Sequence, residues 1–378
     1  MADTYTNPRG GFASLYDKLQ KEECNISCFG ASVTAQKTGY PIYLHKKFSD
    51  FFNLQHKMFQ SGFGGHALET SVVLLNKYVV LNKPDICFIE WTTRPVKFDD
   101  DSLVFKYLEA IIYQLRKINC EICFIYLGLD DQSEEQKIHN SETALVFIDL
   151  FEKVAVHNEI PSINIYNILQ DFKFYLQQKN QLENYNSLFR DFVHTSEIGS
   201  NFYGELLFEF FLTILRKKKT KNLKRTQTFL IPDNEYNQVK YLPILPDMFL
   251  NPSNVKVGDI NSSEFGMCKF FEIDTDNEIR VKIVGYKMLN IWAVTGISAG
   301  IIEIRSSIGT FKHQIWDIYS HYDRVTSGTI YSDVKFTPNE EISIKLTNLD
   351  VDYSQCTRKI EHPENIMKKL RIIGLSYL

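Results

Sequence analysis

The sequence predicts an α/β domain built on a mainly parallel sheet, followed by an antiparallel β-sandwich. Three observations lead there. At 378 residues the chain exceeds what one ordinary core supports, so two domains are the natural expectation. From residue 24 to 216 continuous apolar runs alternate with amphipathic stretches, the pattern of strands buried between two helical layers. Beyond residue 229 short strand-like runs succeed one another between turn residues. The boundaries read as 1–216 for the α/β domain, 217–240 for a basic linker and 241–378 for the β domain.

The first element is "CNISCFG", a short apolar run with strand character, and a helical pattern through "YPIYLHKKFSDFF" follows it. "HKMFQSGFGG" reads as a strand entering a glycine-rich turn before the helix candidate "ALETSVVLLNKYVVL". "PDICFIEW" then leads into "DSLVFKYLEAIIYQLRKI", and "EICFIYLG" leads, after a polar loop, into "SETALVFIDLFEKVAVHN". "PSINIYNIL" reads as a fifth short strand with an irregular segment behind it, and a last helix is expected at about 198–216. "FYGELLFEFFLTIL" within that helix is broken by Glu205 and Glu209, which suits an amphipathic helix on a sheet. In the second domain the expected strands are "KFFEIDT", "EIRVKIVGY", "LNIWAVTG", "GIIEIRSS", "DVKFTP", "EISIKLTNL" and "LRIIGLSYL".

Composition narrows the function classes. A hydrophobic share of 44% with 23% charged residues is that of a soluble globular protein. The formal charge of −4 argues against a nucleic-acid binder, which carries a basic excess to neutralise phosphates. "RKKKTKNLKR" at 216–225 is basic, yet it reads as a solvated helix end running into a linker. No apolar run reaches the roughly 18 residues of a membrane span, and the N-terminus has no signal-peptide core. Seven cysteines, an odd number with Cys28, Cys87 and Cys123 inside apolar runs, fit a reduced, cytoplasmic setting. "CEIC" at 120–123 has redox spacing but enters a strand rather than opening a helix, against a redox role.

Ser32 lies in "FGASVT", directly past the first strand. Alone, it reads as a loop serine capping the next helix; the sharper reading is a nucleophile at the carboxyl end of a parallel strand. A nucleophile needs a base, a carboxylate to orient that base, and donors for the oxyanion. Asp191 and His194, three apart in "RDFVHTSEIGS", can put a carboxylate on an imidazole within one short loop. In "QSGFGGHAL" the absence of a Cβ on Gly65 lets its N–H approach a substrate oxygen. Thr92, Thr93 and Arg94 end the next strand in "FIEWTTRP" and are expected to project into the same crevice.

In order and spacing, "FGASVT", "GFGGHA", "EWTTR" and "DFVH" resemble the motif blocks of the SGNH (GDSL-type) hydrolase family over residues 24–216. The resemblance implies a three-layer α/β/α flavodoxin-like fold. It puts the serine nucleophile on Ser32, an oxyanion hole on the N–H groups of Ser32 and Gly65, and the base and its partner on His194 and Asp191. Two positions depart from the pattern. Ala31 stands where an aspartate is usual, and the asparagine of the third block falls, ungapped, on Arg94, so that Thr93 or Arg94 becomes the third donor.

His66, Thr92 and Trp91 are weaker candidates for substrate contact. His45, His56, His139 and His157 stand singly, and "EHPE" at 361–364 reads as a turn, so no metal is expected. "WDIYSHYDR" at 316–324 mixes aromatic and charged groups, read first as core and packing and second as a sugar platform. The resulting expectation is a serine esterase that removes an acetyl-like group from a carbohydrate, with no cofactor. The alternatives are an O-acyltransferase using the same residues, with acetyl-coenzyme A as donor, and a non-catalytic glycan-binding or adaptor protein.

Overall fold

The computed structural model describes residues 5–12, 15–94, 100–127, 134–216, 230–231, 234–262, 265–283, 288–307, 309–316, 320–329, 340–356, 358–361 and 365–377. The chain divides into two compact units, Met1–Asn237 and Gln238–Leu378.

The first unit carries strands β1 (Thr6–Asn7), β2 (Asn25–Gly30), β3 (Lys57–Gly62), β4 (Ile86–Glu90), β5 (Glu121–Tyr126) and β6 (Ser162–Asn164). Its helices are α1 (Leu15–Lys21), α2 (Ser32–Ala35), α3 (Tyr40–Phe52), α4 (Leu68–Tyr78), α5 (Ser102–Lys117), α6 (Glu134–His157), α7 (Ile165–Gln178), α8 (Leu182–Asn186) and α9 (Glu197–Arg216). The sheet runs β1-β6-β5-β4-β2-β3. Every pairing is parallel except that of β1 with β6. Without β1 this is the flavodoxin-like order, second-first-third-fourth-fifth, and the switch point lies between β2 and β4. Open α/β sheets bind ligands outside the carboxyl ends of the strands at that point.

The two faces follow from the alternation of side chains along each strand. Ile26 and Cys28 of β2, Phe88 of β4 and Cys123 of β5 pack with α1, α3, α7 and α9 in one core. On the other face the Phe124 ring meets Phe151 of α6 at 5.6 Å. Phe48 of α3 anchors the first core, its ring 4.9 Å from Phe211, 5.3 Å from Phe208 and 6.3 Å from Phe88. Truncating such a buried phenylalanine costs about 3–5 kcal/mol. Helix α3 begins at Gly39 with Pro41 in its first turn and ends at Asn53 in the left-handed region, both local stop and start signals.

One expectation is corrected here. The fifth strand stops at Asn164, and "IYNIL", expected as part of that strand, opens the helix α7, which also occupies the segment expected to be irregular. Asn164 accepts a hydrogen bond from Asn167 N at 3.0 Å, a side-chain cap, and Ile165, Leu169 and Leu176 recur at helical spacing on the buried face. The basic residues 217–225 lie outside the described residues. Leu230, Ile231 and Tyr236 attach to α5: Leu230 N and Ile231 N donate to the buried Glu109 carboxylate at 2.6 and 3.0 Å, and the Tyr236 ring meets Tyr107 at 4.9 Å.

The second unit has strands β7 (Lys240–Pro243), β8 (Lys256–Ser262), β9 (Gly266–Ile273), β10 (Glu278–Ile283), β11 (Met288–Thr295), β12 (Ile301–Ser306), β13 (Gly309–Gln314), β14 (Arg324–Thr329), β15 (Glu340–Leu346) and β16 (Leu370–Tyr377). They form antiparallel sheets ordered β10-β15-β12-β13 and β14-β11-β16-β9-β8, with β7 on β16. Ile302, Ile304, Ile342 and Ile344 of one sheet and Ile291, Ala293 and Ile372 of the other share a core. "DVKFTP" lies outside the described residues up to its end at Pro338. In the aromatic stretch at 316–324, residues 317–319 also lie outside them. Trp316 is buried with its ring 5.7 Å from Tyr353, and Asp323 pairs with Arg371, the packing role expected first. No helix among the described residues is long and apolar enough to cross a membrane.

Candidate active site

Three neighbouring strands deliver their ends to one place. Gly30 of β2 pairs in register with Gly62 of β3 on one side and Glu90 of β4 on the other. Ser32 follows β2 as the first residue of α2, half-buried. A Cβ on Gly30 would collide with the Glu90 backbone oxygen, so only glycine lets β2 run this close to β4. Ala31 N donates to Glu90 O at 3.1 Å, and Phe63 N donates to Gly30 O at 2.9 Å. These bonds fix the loops after β2 and β3 against each other. The amides of Ser32 and Gly65 take no part in them. Gly65 sits at the exposed tip of its turn with φ at +75°, a conformation that suits glycine.

The fourth segment is the loop between α8 and α9. It closes on itself through a bridge between Phe189 and Thr195 and through Arg190 N to His194 O at 2.8 Å. Inside it Asp191 Oδ1 accepts the amides of Val193 and His194 at 2.9 and 2.7 Å, while Oδ2 lies 2.8 Å from His194 Nδ1. The geometry requires a proton on Nδ1, which leaves Nε2 as the acceptor of a neutral ring. Partial burial pushes the Asp191 carboxyl up, but the bonds from the His194 and Val193 amides and from the His194 ring outweigh it and hold the group below its ordinary value.

Gln36 joins this loop to the serine turn. Its Nε2 donates to Thr195 O at 2.9 Å, and its Oε1 accepts Thr195 N at 3.1 Å and Thr195 Oγ1 at 3.2 Å. The residue four past Ser32 thus grips the residue next to His194. Ser32 Oγ and His194 Nε2 make no hydrogen bond, to each other or to another described residue.

The third segment carries corrections. Trp91 and Thr92 are fully buried and offer no surface to a substrate: the Trp91 ring meets Phe29 at 5.3 Å, and Thr92 Oγ1 lies 3.1 Å from Leu127 N and 3.3 Å from Leu127 O. His66 is buried as well, with Nδ1 3.0 Å from Gly64 O. Thr93 is 5% exposed and donates its hydroxyl proton to Glu90, whereas Arg94 is exposed and its guanidinium has no partner among the described residues.

Sequence reasoning missed Glu90 and Gln36. Glu90 is fully buried, its Oε2 accepting Thr34 Oγ1 at 3.0 Å and its Oε1 accepting Thr93 N and Oγ1 at 3.1 and 2.8 Å. Burial pushes this carboxyl above its ordinary value despite those bonds. A carboxylate ending the apolar run "ICFIE" was the available signal. Among the described residues no three His, Cys, Asp or Glu side chains gather as a metal site. All seven cysteines are free, and burial pushes the Cys24 thiol up to about 11 and those of Cys28 and Cys120 well above the ordinary value, so these three are poor nucleophiles at neutral pH.

No family model and no curated protein matches the sequence. Solved structures do match. The chain is similar to a two-domain esterase active on acetylated mannans, with 13% identity, a TM-score of 0.70, and 99% of this chain and 97% of that one covered. The structure of a two-domain esterase active on acetylated mannans, co-crystallised with mannopentaose, matches at a TM-score of 0.67 with the same identity and coverage. At that identity the likeness establishes the fold of both units.

Proposed function

We propose that this protein is a serine esterase that removes a small acyl group, acetyl being the simplest, from a carbohydrate. The observation that carries the reading is the bonded Asp191–His194 pair on a loop that Gln36 fastens to the Ser32 turn. The fold it shares with an esterase active on acetylated mannans supports an acylated glycan as substrate.

On this reading Ser32 Oγ attacks the ester carbonyl carbon while His194 Nε2 takes the hydroxyl proton. The carbonyl π electrons move onto oxygen, and the resulting oxyanion is met by the amides of Ser32 and Gly65. Each well-placed donor is worth about 3 kcal/mol at this stage. Collapse breaks the bond to the sugar oxygen, which leaves with the proton from His194. Water then attacks the acyl-serine by the same route, releasing the carboxylic acid and restoring the hydroxyl. Asp191 holds the ring tautomer and stabilises the imidazolium that forms in both halves.

The test is hydrolysis of p-nitrophenyl acetate and of acetylated mannan by wild type and Ser32→Ala, with fluorophosphonate labelling of the serine. Expected are Ser32-dependent turnover and labelling; an unchanged rate in the alanine variant defeats the assignment. Supplying acetyl-coenzyme A and a deacetylated glycan separates the transferase alternative, which predicts a gain of mass on the sugar.

A further inference from the structure

We propose that Gln36 is the positioning residue that sets the distance and angle between the His194 imidazole and the Ser32 hydroxyl; the inference rests on the esterase reading. Its side chain is nearly buried, at 9% exposure, and all three of its side-chain hydrogen bonds go to one residue, Thr195. Chemistry fixes the amide orientation: Thr195 O requires the NH2 arm, and Thr195 N requires the carbonyl arm. Thr195 Oγ1 also lies 2.7 Å from Ser200 Oγ. With the single Thr195 hydroxyl proton directed to Gln36 Oε1, Ser200 is the donor in that pair, which sets a chain from α9 through Thr195 to Gln36.

Gln36 is in turn anchored from behind. Gln60 Nε2 on β3 donates to Gln36 O and to Thr34 O, each at 2.7 Å. The clamp therefore refers the histidine loop to the sheet through the same short segment that bears the nucleophile. Apart from it, the loop is held by its own bridge at Phe189 and Thr195, by short-range bonds such as Ser196 N to Leu188 O at 2.8 Å, and by Leu188, Phe189 and Val193 packed in the core. Those bonds shape the loop; Gln36 spans 159 residues of sequence to tie it to the serine turn. Glutamine is the residue that fits. Methionine has the length but neither arm, asparagine is one methylene short, and glutamate keeps only the accepting arm.

The experiment compares steady-state hydrolysis of p-nitrophenyl acetate by wild type, Gln36→Met, Gln36→Glu, His194→Ala and the Gln36→Met/His194→Ala double variant, with melting curves for each. Gln36→Met is expected to lower kcat at least tenfold with KM within twofold, because Gln36 positions the base without lining the oxyanion site. Gln36→Glu is expected to recover part of the loss through its remaining acceptor. In the His194→Ala background Gln36→Met is expected to change the residual rate less than twofold, since the group it positions is gone. An unchanged kcat in folded Gln36→Met, or an equal loss with and without His194, overturns the inference. If Gln36→Met does not fold, Gln36→Glu decides: wild-type kcat overturns the proposal, and a lowered kcat whose deficit disappears when Gln36→Glu is placed in the His194→Ala background supports it. Absence of Ser32-dependent turnover in wild type defeats the esterase reading itself, a result separate from wild-type activity that ignores Gln36.

Discussion

Thr93 gives its hydroxyl proton to Glu90 Oε1 at 2.8 Å and its amide proton to the same oxygen at 3.1 Å. A hydroxyl has one proton, so the Thr93 side chain is spent and cannot also serve an oxyanion. Of the two candidates for a third donor, Arg94 alone keeps free donors. Glu90 meanwhile accepts Thr34 from the Ser32 turn, so one buried carboxyl ties the turn after β2 to the end of β4.

Thr93 and Arg94 should consequently fail in different ways. Thr93→Val removes a buried donor to a carboxylate and is expected to lower stability by about 1–3 kcal/mol. Arg94→Ala leaves stability within about 0.5 kcal/mol, as exposed changes do. If its guanidinium meets the oxyanion, kcat falls by about a hundredfold. Urea melts and steady-state kinetics on the two variants check both halves.

Asp191→Asn is expected to reduce kcat by about a thousandfold or more while the loop stays closed, because the amide no longer enforces the Nδ1-protonated tautomer. The pH dependence has a definite sign. The folded carboxyl sits below its unfolded value, so its contribution to stability is full above the ordinary carboxylate range, around pH 4, and is lost as pH falls through the folded value. Unfolding midpoints of wild type and Asp191→Asn should converge in acid; a constant gap down to the lowest measurable pH contradicts the assignment.

Glu90 slopes the other way. Its folded value is raised, so the folded state holds the proton more tightly than the unfolded chain does. The stability this confers is full below about pH 4.3 and disappears as pH climbs through the folded value. Glu90→Gln carries no such ionisation. Its stability relative to wild type should therefore improve between pH 4 and pH 8, measured by urea midpoints, whereas the Asp191→Asn comparison moves in the opposite sense.

The parts legible in the sequence are those whose causes are local. Helix α3 was read with its observed limits, Tyr40–Phe52, since its cap, proline and apolar spacing all lie within it. The Asp191–His194 contact was readable because the partners are three residues apart. Gln36 and Glu90 were not, because their significance resides in partners 159 and 56 residues away. Burial direction was equally hidden: in "EWTTR" nothing local tells that Trp91 and Thr92 turn inward while Arg94 turns out. The strand β1, two residues long, lies below any periodicity signal and exists because β6 offers it an edge.

Ser32 lies just past β2, an interior strand paired on both sides, whereas the imidazole sits on a loop closed by the Phe189–Thr195 bridge, packed through Leu188, Phe189 and Val193 and tied to the serine turn by Gln36. The proposed nucleophile and its proposed base thus stand on separate elements, so a local opening of the loop parts them without opening the sheet. On the proposed chemistry such an opening silences the molecule while it is still folded, and reclosing restores it.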